Sequence, residues 1–400
     1  MMSPRTSKGS LLASVLGVVV RVLRPMVIIR IVRFHPAFGY VLRSPMYYLL
    51  LRERESLVGA RRFFDIAFWV GETPASALAR FWSRQIRLVQ DPMPRLFVKI
   101  LTVVSWYWLR NERMNRHVID LTLPHQITSE RINSPRYSAA HFMTDSETSD
   151  VRQCLKNLGV EQGLPYALIH VRNGVHDLRT TGEYEGRLYD ADPGRFQKAV
   201  DLLVGMNYSV ITFGNDPSSP SGLQGVIDYH SSSERTPLRD FMLASTAALY
   251  VGTAAGAPAG AALNFRIPTL LTNCLIPNAN VYTEFLDYGR SVVVPKNIRS
   301  GGMPWSLREN FGRQFPASDR ELSRVGITVE DNDEDDILAA LRELLALVSD
   351  ETKWEESRSH HDQLAFYRTI DAHSRLARRC PNESAIISPS FLRKYPHWLR

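Results

Sequence analysis

Short apolar runs recur along this chain, each closed by a turn signal, with amphipathic stretches between them. Residues 166–171 are the clearest case, an unbroken apolar run that ends in His170-Val171-Arg172 and breaks at Asn173-Gly174. A run of that length bounded by a turn reads as a strand covered on both faces, as in a parallel sheet. A helix over 192–206, opened by Asp192-Pro193, and a strand over 208–213 follow. Further strands are expected at 226–229, 248–251, 269–272 and 291–294. Helices are expected at 236–245, opened by Thr236-Pro237, and over small residues up to Phe265. Ile337, Leu338, Leu341, Leu344, Leu345 and Val348 keep helical spacing, and the acidic run from Asp331 to Asp336 stands where that helix starts. Negative charge is favoured at that end of a helix.

The first part of the chain alternates in the same way. Strands are expected at 27–34, 63–70 and near 117–123, and a helical region at 38–57. One helix is opened by Thr73-Pro74, and an aromatic one covers 96–109. Strand and helix in alternation imply an α/β fold with parallel sheets and right-handed crossovers. The polar stretch 124–150 suits a linker. The expected organisation is therefore a basic apolar segment at 1–35 leading into the first strand, and an α/β domain at 27–123. A second α/β domain follows the linker at 151–348, with a helical tail at 349–400.

Charge changes this picture at one end. The chain carries a net charge of +7, yet residues 1–110 hold 17 Lys and Arg against 5 Asp and Glu, a surplus of 12 that leaves −5 for the rest. The apolar stretch 11–20 is flanked by Arg5, Lys8, Arg21, Arg24, Arg30 and Arg33. It is about half the length that a membrane span needs. The expectation is a segment lying on an anionic membrane surface, arginines at the headgroups, on the inner, cytoplasmic face of the membrane. No zinc-ligand spacing or helix-turn-helix pattern supports nucleic acid as a partner. Cys154, Cys274 and Cys380 form no disulfide framework or CxxC motif and read as apolar filler.

Candidate chemistry gathers where strands end. In open α/β sheets, ligands bind outside the carboxyl ends of the strands. His170 and Arg172 end one strand, Gly214-Asn215-Asp216 the next, and the Gly252-Thr253-Ala254-Ala255-Gly256 loop another. The guanidinium of Arg172 matches phosphate oxygens, and a Gly-rich loop feeding a helix offers backbone N–H groups to them. The loop is neither a GxxxxGK[ST] nor a GxGxxG sequence. Arg172 with Gly252, Thr253 and Gly256 describes a pyrophosphate site, and hence a nucleotide-sugar. Asp228 and Asp240 are candidates to orient the nucleotide or Arg172, and Asp177, Glu183, Glu185 and His176 to act as general base. The two Asp-x-Asp triplets, Asp190-Ala191-Asp192 and Asp331-Asn332-Asp333, precede helices and read as caps rather than metal ligands.

The order of His170-Val171-Arg172, Asp228-Tyr229, Arg239-Asp240-Phe241-Met242, Gly252–Gly256, the stretch 268–273, Val294-Pro295-Lys296 and the ending 387–392 resembles an uncharacterised family of bacterial glycosyltransferases, distantly fucosyltransferase-like. The resemblance implies a GT-B fold, two Rossmann-like domains facing across a cleft, and metal-independent transfer from a nucleotide-sugar to a glycan or lipid-linked acceptor in cell-surface polysaccharide or glycoconjugate synthesis. No further cofactor is implied. Arg172, His170 and Asp177 are then the catalytic candidates, and Gly214, Asn215, Asp228, Asp240, Gly252, Thr253 and Gly256 join Arg172 at the donor. Asn173, Ala254 and Ala255 depart from the family pattern. They keep open an alternative, an inactive relative that binds a glycan or nucleotide within an assembly complex.

Overall fold

The structure is a computed structural model of the 400-residue chain. It describes residues 13–18, 28–34, 45, 48–49, 51–52, 55, 63–70, 76–88, 95–111, 114–121, 142–172, 190–213, 222–253, 261–262, 265–275, 290–312, 319–373 and 385–399. The chain divides into two compact units, Met1–Thr128 and Ser129–Arg400. Each holds a parallel sheet with helices, the α/β class that the alternation implies.

In the first unit β1 (Ile28–Phe34) lies between β2 (Phe63–Trp69) and β3 (Val118–Leu121), parallel to both. Two helices, α1 (Ser76–Ser83) and the aromatic α2 (Arg95–Leu109), belong to this unit. Leu101, Val104 and Trp108 of α2 pack with Ile31, Phe68, Met114 and Val118. Residues 13–18 are helical, and Ala13 and Gly17 are buried. The Ala13 carbonyl accepts the Trp108 indole N–H at 3.0 Å, while Val15 and Val18 stay exposed. One side of this segment therefore packs on protein. No helix among the described residues is long and apolar enough to cross a membrane.

Arg30 and Arg33 correct the sequence reading. Both were expected at lipid headgroups, and both are buried in β1. Register explains why, because Arg30 lies beside Asp65 of β2 and Arg33 beside Asp120 of β3. Arg30 donates to both Asp65 oxygens, at 2.8 and 2.9 Å, and to Glu55; Tyr48 adds a 2.6 Å hydrogen bond to Asp65. Arg33 reaches Asp120 at 3.1 Å. A buried cation is tolerated only when paired in this way.

The second unit opens with α3 (Asp145–Asn157), whose start lies inside the stretch expected to be a linker. Thr144 and Glu147 close a reciprocal capping box there. Seven strands then form one sheet. In chain order they are β4 (Tyr166–His170), β5 (Ser209–Thr212), β6 (Val226–Ile227), β7 (Leu249–Thr253), β8 (Thr269–Cys274), β9 (Ser291–Pro295) and β13 (Ile386–Ile387). Their spatial order is β13-β9-β8-β7-β4-β5-β6, every pair parallel. Counted from β4, the first six follow the doubly wound order 3-2-1-4-5-6. The chain builds outward from β4 through β5 and β6, then returns to β4's other side as β7. Strands β4, β7, β8 and β9 are buried along their whole length, as their apolar runs require.

Helices α4 (Gln197–Gly205), α5 (Pro237–Met242) and α6 (Glu334–Val348) arise at the expected signals, Asp192-Pro193, Thr236-Pro237 and the acidic run. The buried face of α6 is Ile337, Ala340, Leu341, Leu344 and Leu347. Leu338, Leu345 and Val348, expected in it, lie at its margin.

Two features were not expected. A small antiparallel sheet joins β10 (Asn297–Ser300) to β11 (Met303–Pro304) and β12 (Ile327–Glu330). The tail is not only helical either. After α7 (Glu351–Ser359) and α8 (His361–His373), β13 joins the main sheet beside β9, and α9 (Pro389–Lys394) follows. Gln363 of α8 pairs with the Ile387 backbone, its side-chain N–H donating at 2.6 Å and its oxygen accepting at 3.0 Å.

Candidate active site

The order of the second sheet places a topological switch point between β4 and β7, where crossovers leave in opposite directions. A crevice at the carboxyl ends of two such strands is where ligands bind in open α/β sheets. The residues at this point are His170, Arg172, Gly252 and Thr253. Pairing sets His170 opposite Gly252, and the Arg172 backbone N–H donates to Thr253 Oγ1 at 3.0 Å.

Arg172 lies past the end of β4, so strand alternation does not put it on the face of His170. Its side chain is part-exposed, at 24%. Its Nε lies 3.7 Å from Asp190 Oδ1, an ion pair too long for a hydrogen bond. Its carbonyl accepts the Ala191 N–H at 2.9 Å. Residues 173–189, with Asp177, His176, Glu183 and Glu185, lie outside the described residues; Arg172 and Ala191, which flank them, share this backbone bond.

His170 is buried, and its Nδ1 lies 2.7 Å from the Phe213 carbonyl. A carbonyl accepts, so Nδ1 carries the proton. This contact makes His170 a brace between the ends of β4 and β5. Gly252 is part of β7, not of a loop. A Cβ there would sit 2.1 Å from the His170 carbonyl oxygen and 2.9 Å from the Tyr250 hydroxyl, so glycine is required by close approach of the two strands. Thr253 is buried, and its hydroxyl oxygen accepts from the Arg172 backbone N–H. Gly256, Gly214 and Asn215 lie outside the described residues.

The two remaining carboxylates divide. Asp228 sits at the end of β6, exposed, where its Oδ1 accepts from the Ser231 N–H at 3.2 Å and from Thr212 Oγ1 at 3.4 Å. Burial acts to raise its pKa, but hydrogen bonds from Ser231 and Thr212 together with the charge of His230 outweigh it and hold the carboxyl low. Asp240 lies on α5 and does not reach Arg172. It accepts from the Tyr229 hydroxyl at 2.9 Å and from Arg235 at 3.0 to 3.2 Å. Burial raises its pKa against the pull of Arg235. It anchors α5 to the turn after β6.

Of the Asp-x-Asp triplets, Asp192 and Asp333 cap helices as expected, accepting from Gly194 and Asp336. Asp190 and Asp331 do not. Asp331 Oδ1 accepts from Lys296 Nζ at 2.7 Å, and the same ammonium donates to the Asp190 carbonyl at 2.7 Å. Lys296 follows β9 and is 1% exposed. Lys296 was not among the expected site residues, although Val294-Pro295-Lys296 belongs to the motifs that carry the resemblance and places a lysine directly after an apolar strand.

Among the described residues, one group of potential metal ligands brings its atoms within 4.8 Å of one another: His360, His361 and Asp362 at the start of α8. The positive end of the α8 dipole opposes a cation there, and the group shares no residue with the strand tips. Cys154 and Cys274 are fully buried, and burial pushes both thiols up, that of Cys154 to about 11, away from the thiolate form.

No protein-family model matches the chain, and no curated protein matches it. Solved structures similar to it include E. coli ADP-heptose LPS heptosyltransferase II, with a TM-score of 0.41 and 10% identity over 80% of this chain and 100% of that one. A glycosyl transferase family 9 protein from Veillonella parvula gives a TM-score of 0.38 and 10% identity over 67% and 85%. S. aureus MnaA with UDP gives 0.32 and 9% over 82% and 90%. These likenesses are remote, and what the chain binds must be read from its own residues.

Proposed function

We propose that this chain is a glycosyltransferase that takes a sugar from a nucleotide-sugar and passes it to a glycan or lipid-linked acceptor. The observation that carries this is Arg172 at the switch point between β4 and β7, fixed through its backbone by Thr253 and Ala191. A permanent planar cation at that position fits the diphosphate of a donor, and it meets the negative charge that grows on the leaving nucleoside diphosphate. Arginine and backbone N–H groups take the part of a metal, so transfer proceeds in excess chelator. The acceptor's base belongs to the polar stretch after Arg172, with Asp177 the leading candidate.

Melting the protein against a panel of nucleotide-sugars tests this. A donor at a hundred times its Kd should add about 2.7 kcal/mol of stability. No shift with any nucleotide-sugar overturns the reading. Binding without transfer or donor hydrolysis favours the inactive glycan- or nucleotide-binding relative.

We also place the protein at an anionic membrane surface on the cytoplasmic side. Val15 and Val18 face outward from the helical residues 13–18, and Arg5, Lys8, Arg21 and Arg24 flank that segment. Each basic group near such a surface contributes about 1 kcal/mol and is screened by salt. High salt should therefore lower binding to anionic vesicles; binding that salt does not change contradicts the placement.

A further inference from the structure

The proposed donor site leaves two groups behind Arg172 unaccounted for. Asp190 is buried, yet it caps no helix; its carboxylate faces Arg172 Nε at 3.7 Å. Lys296, a lysine almost wholly removed from water, donates at 2.7 Å to the carbonyl of that same Asp190 and at 2.7 Å to Asp331. A buried ammonium is costly unless its hydrogen bonds are made, and apolar side chains of like volume often serve stability as well or better. A lysine here is therefore better explained by what it holds than by the stability it adds.

What Lys296 holds is itself rigid. Its backbone N–H donates to the Cys274 carbonyl at 2.9 Å, continuing the β8–β9 pairing. Asp331 leads into Asn332, which exchanges two hydrogen bonds with Asn273 at the end of β8, at 2.6 and 2.9 Å, and donates to the Pro295 carbonyl at 2.7 Å. Asn273 takes a left-handed backbone, φ 54°, to meet it. The ends of β8 and β9 and the start of α6 thus form one hydrogen-bonded body. Lys296 is its arm toward the segment that returns to Arg172.

We propose that Asp190 and Lys296 are positioning residues for Arg172. Lys296 fixes the Asp190 backbone against the ends of β8 and β9, and the Asp190 carboxylate sets the direction of the guanidinium. This rests on the reading of Arg172 as the diphosphate-binding group. A site holds its geometry only when the residues behind it hold theirs. The two charges also make opposite demands. Asp190 subtracts positive charge from an anion site, so its presence there weakens binding unless orientation matters more than net charge.

That opposition gives the test. The full chain, labelled with 15N at arginine, reports solvent exchange at Arg172 Nε–H, the resonance assigned by its loss in Arg172→Lys. Calorimetry with inorganic pyrophosphate reports affinity. Asp190→Asn and Lys296→Met should each speed exchange at Arg172 Nε. Each should also weaken pyrophosphate binding roughly 10-fold, by analogy with the groups behind metal ligands. Unchanged exchange in both variants overturns the proposal. Tighter pyrophosphate binding by Asp190→Asn overturns it too, since that is the result if Asp190 acts only through charge. Where Lys296→Met lowers the melting temperature, Asp190→Asn decides alone, because it keeps the side-chain shape and the carbonyl that Lys296 uses. If the wild type binds neither pyrophosphate nor any nucleotide-sugar, the transferase reading fails, and the exchange rate still decides the positioning role.

Discussion

Arg30 and Arg172 each follow apolar residues of an inner strand of a parallel sheet, and each pairs with aspartate. The resemblance stops there. Arg30 lies inside β1, buried, with both Asp65 oxygens and Glu55 on its guanidinium. Arg172 lies beyond the end of β4, part-exposed, with Asp190 Oδ1 3.7 Å from its Nε. Strand position decides the difference. Within a strand, a neighbour in register can pair with a cation; past the strand's end, Arg172 is held through its backbone and its side chain is part-exposed. Arg30 holds a sheet together, and Arg172 is the residue proposed to bind the diphosphate.

The largest expected effect breaks the first of these. Arg30→Met removes the buried cation from Asp65 and Glu55, leaving them the more exposed Arg52 at 3.5 and 3.3 Å, and should cost about 3–5 kcal/mol of stability, read by denaturant unfolding. A cost under about 1 kcal/mol would mean that the β1–β2 ion pairs are incidental. Arg172→Ala should do the reverse. Transfer falls by about 10²–10³, while stability changes within roughly 1 kcal/mol, as for partly exposed pairs. Wild-type turnover in that variant would reduce Arg172 to a second Arg30.

Gly252→Ala sharpens the comparison from the backbone side. The new Cβ would meet the His170 carbonyl, which belongs to a strand that cannot move aside, and overpacking of this kind costs about 1–3 kcal/mol. Activity should fall with stability, because the same contact sets the β4–β7 spacing. A melting temperature equal to that of the wild type would show that the strands can part.

The smallest effect belongs to an exposed pair. Arg239 donates to both oxygens of Asp150 at 2.6 and 2.8 Å, and this hydrogen bonding holds the Asp150 carboxyl below its ordinary value despite some burial. A depressed carboxyl adds stability that is present above the unfolded value, near 3.9, and is lost as pH falls through the lower folded one. Asp150 is 44% exposed, so Asp150→Ala should cost about 0.2–1 kcal/mol at neutral pH and nothing once both states are protonated. A cost that persists in acid would point to packing instead of charge.

Much of this was legible in the chain. Strands β4, β7, β8 and β9 are buried on both faces, so their runs are continuously apolar, and an arginine directly after such a run stands out. What was hidden depends on pairing across long separations. Lys296 meets Asp190 from 106 residues away, only because the sheet order brings β9 near β7 and β4. Asp190 looked like its neighbour Asp192, yet one faces Arg172 and the other caps a helix. Arg30 and Arg33 looked like a basic flank until register set them beside Asp65 and Asp120. The two residues of β13 are too few to show a pattern, and Gln363 completes what they lack.

The central claim is that Arg172 grips a diphosphate through its fork. Calorimetric titration of nucleoside diphosphates into wild type and Arg172→Lys tests it most directly. A lysine keeps the charge and removes the paired donors. The account predicts wild-type binding and a loss of about 10-fold or more in the variant, the worth of one charge-assisted hydrogen bond of about 1.5–3 kcal/mol. Equal affinity in the two proteins would contradict it.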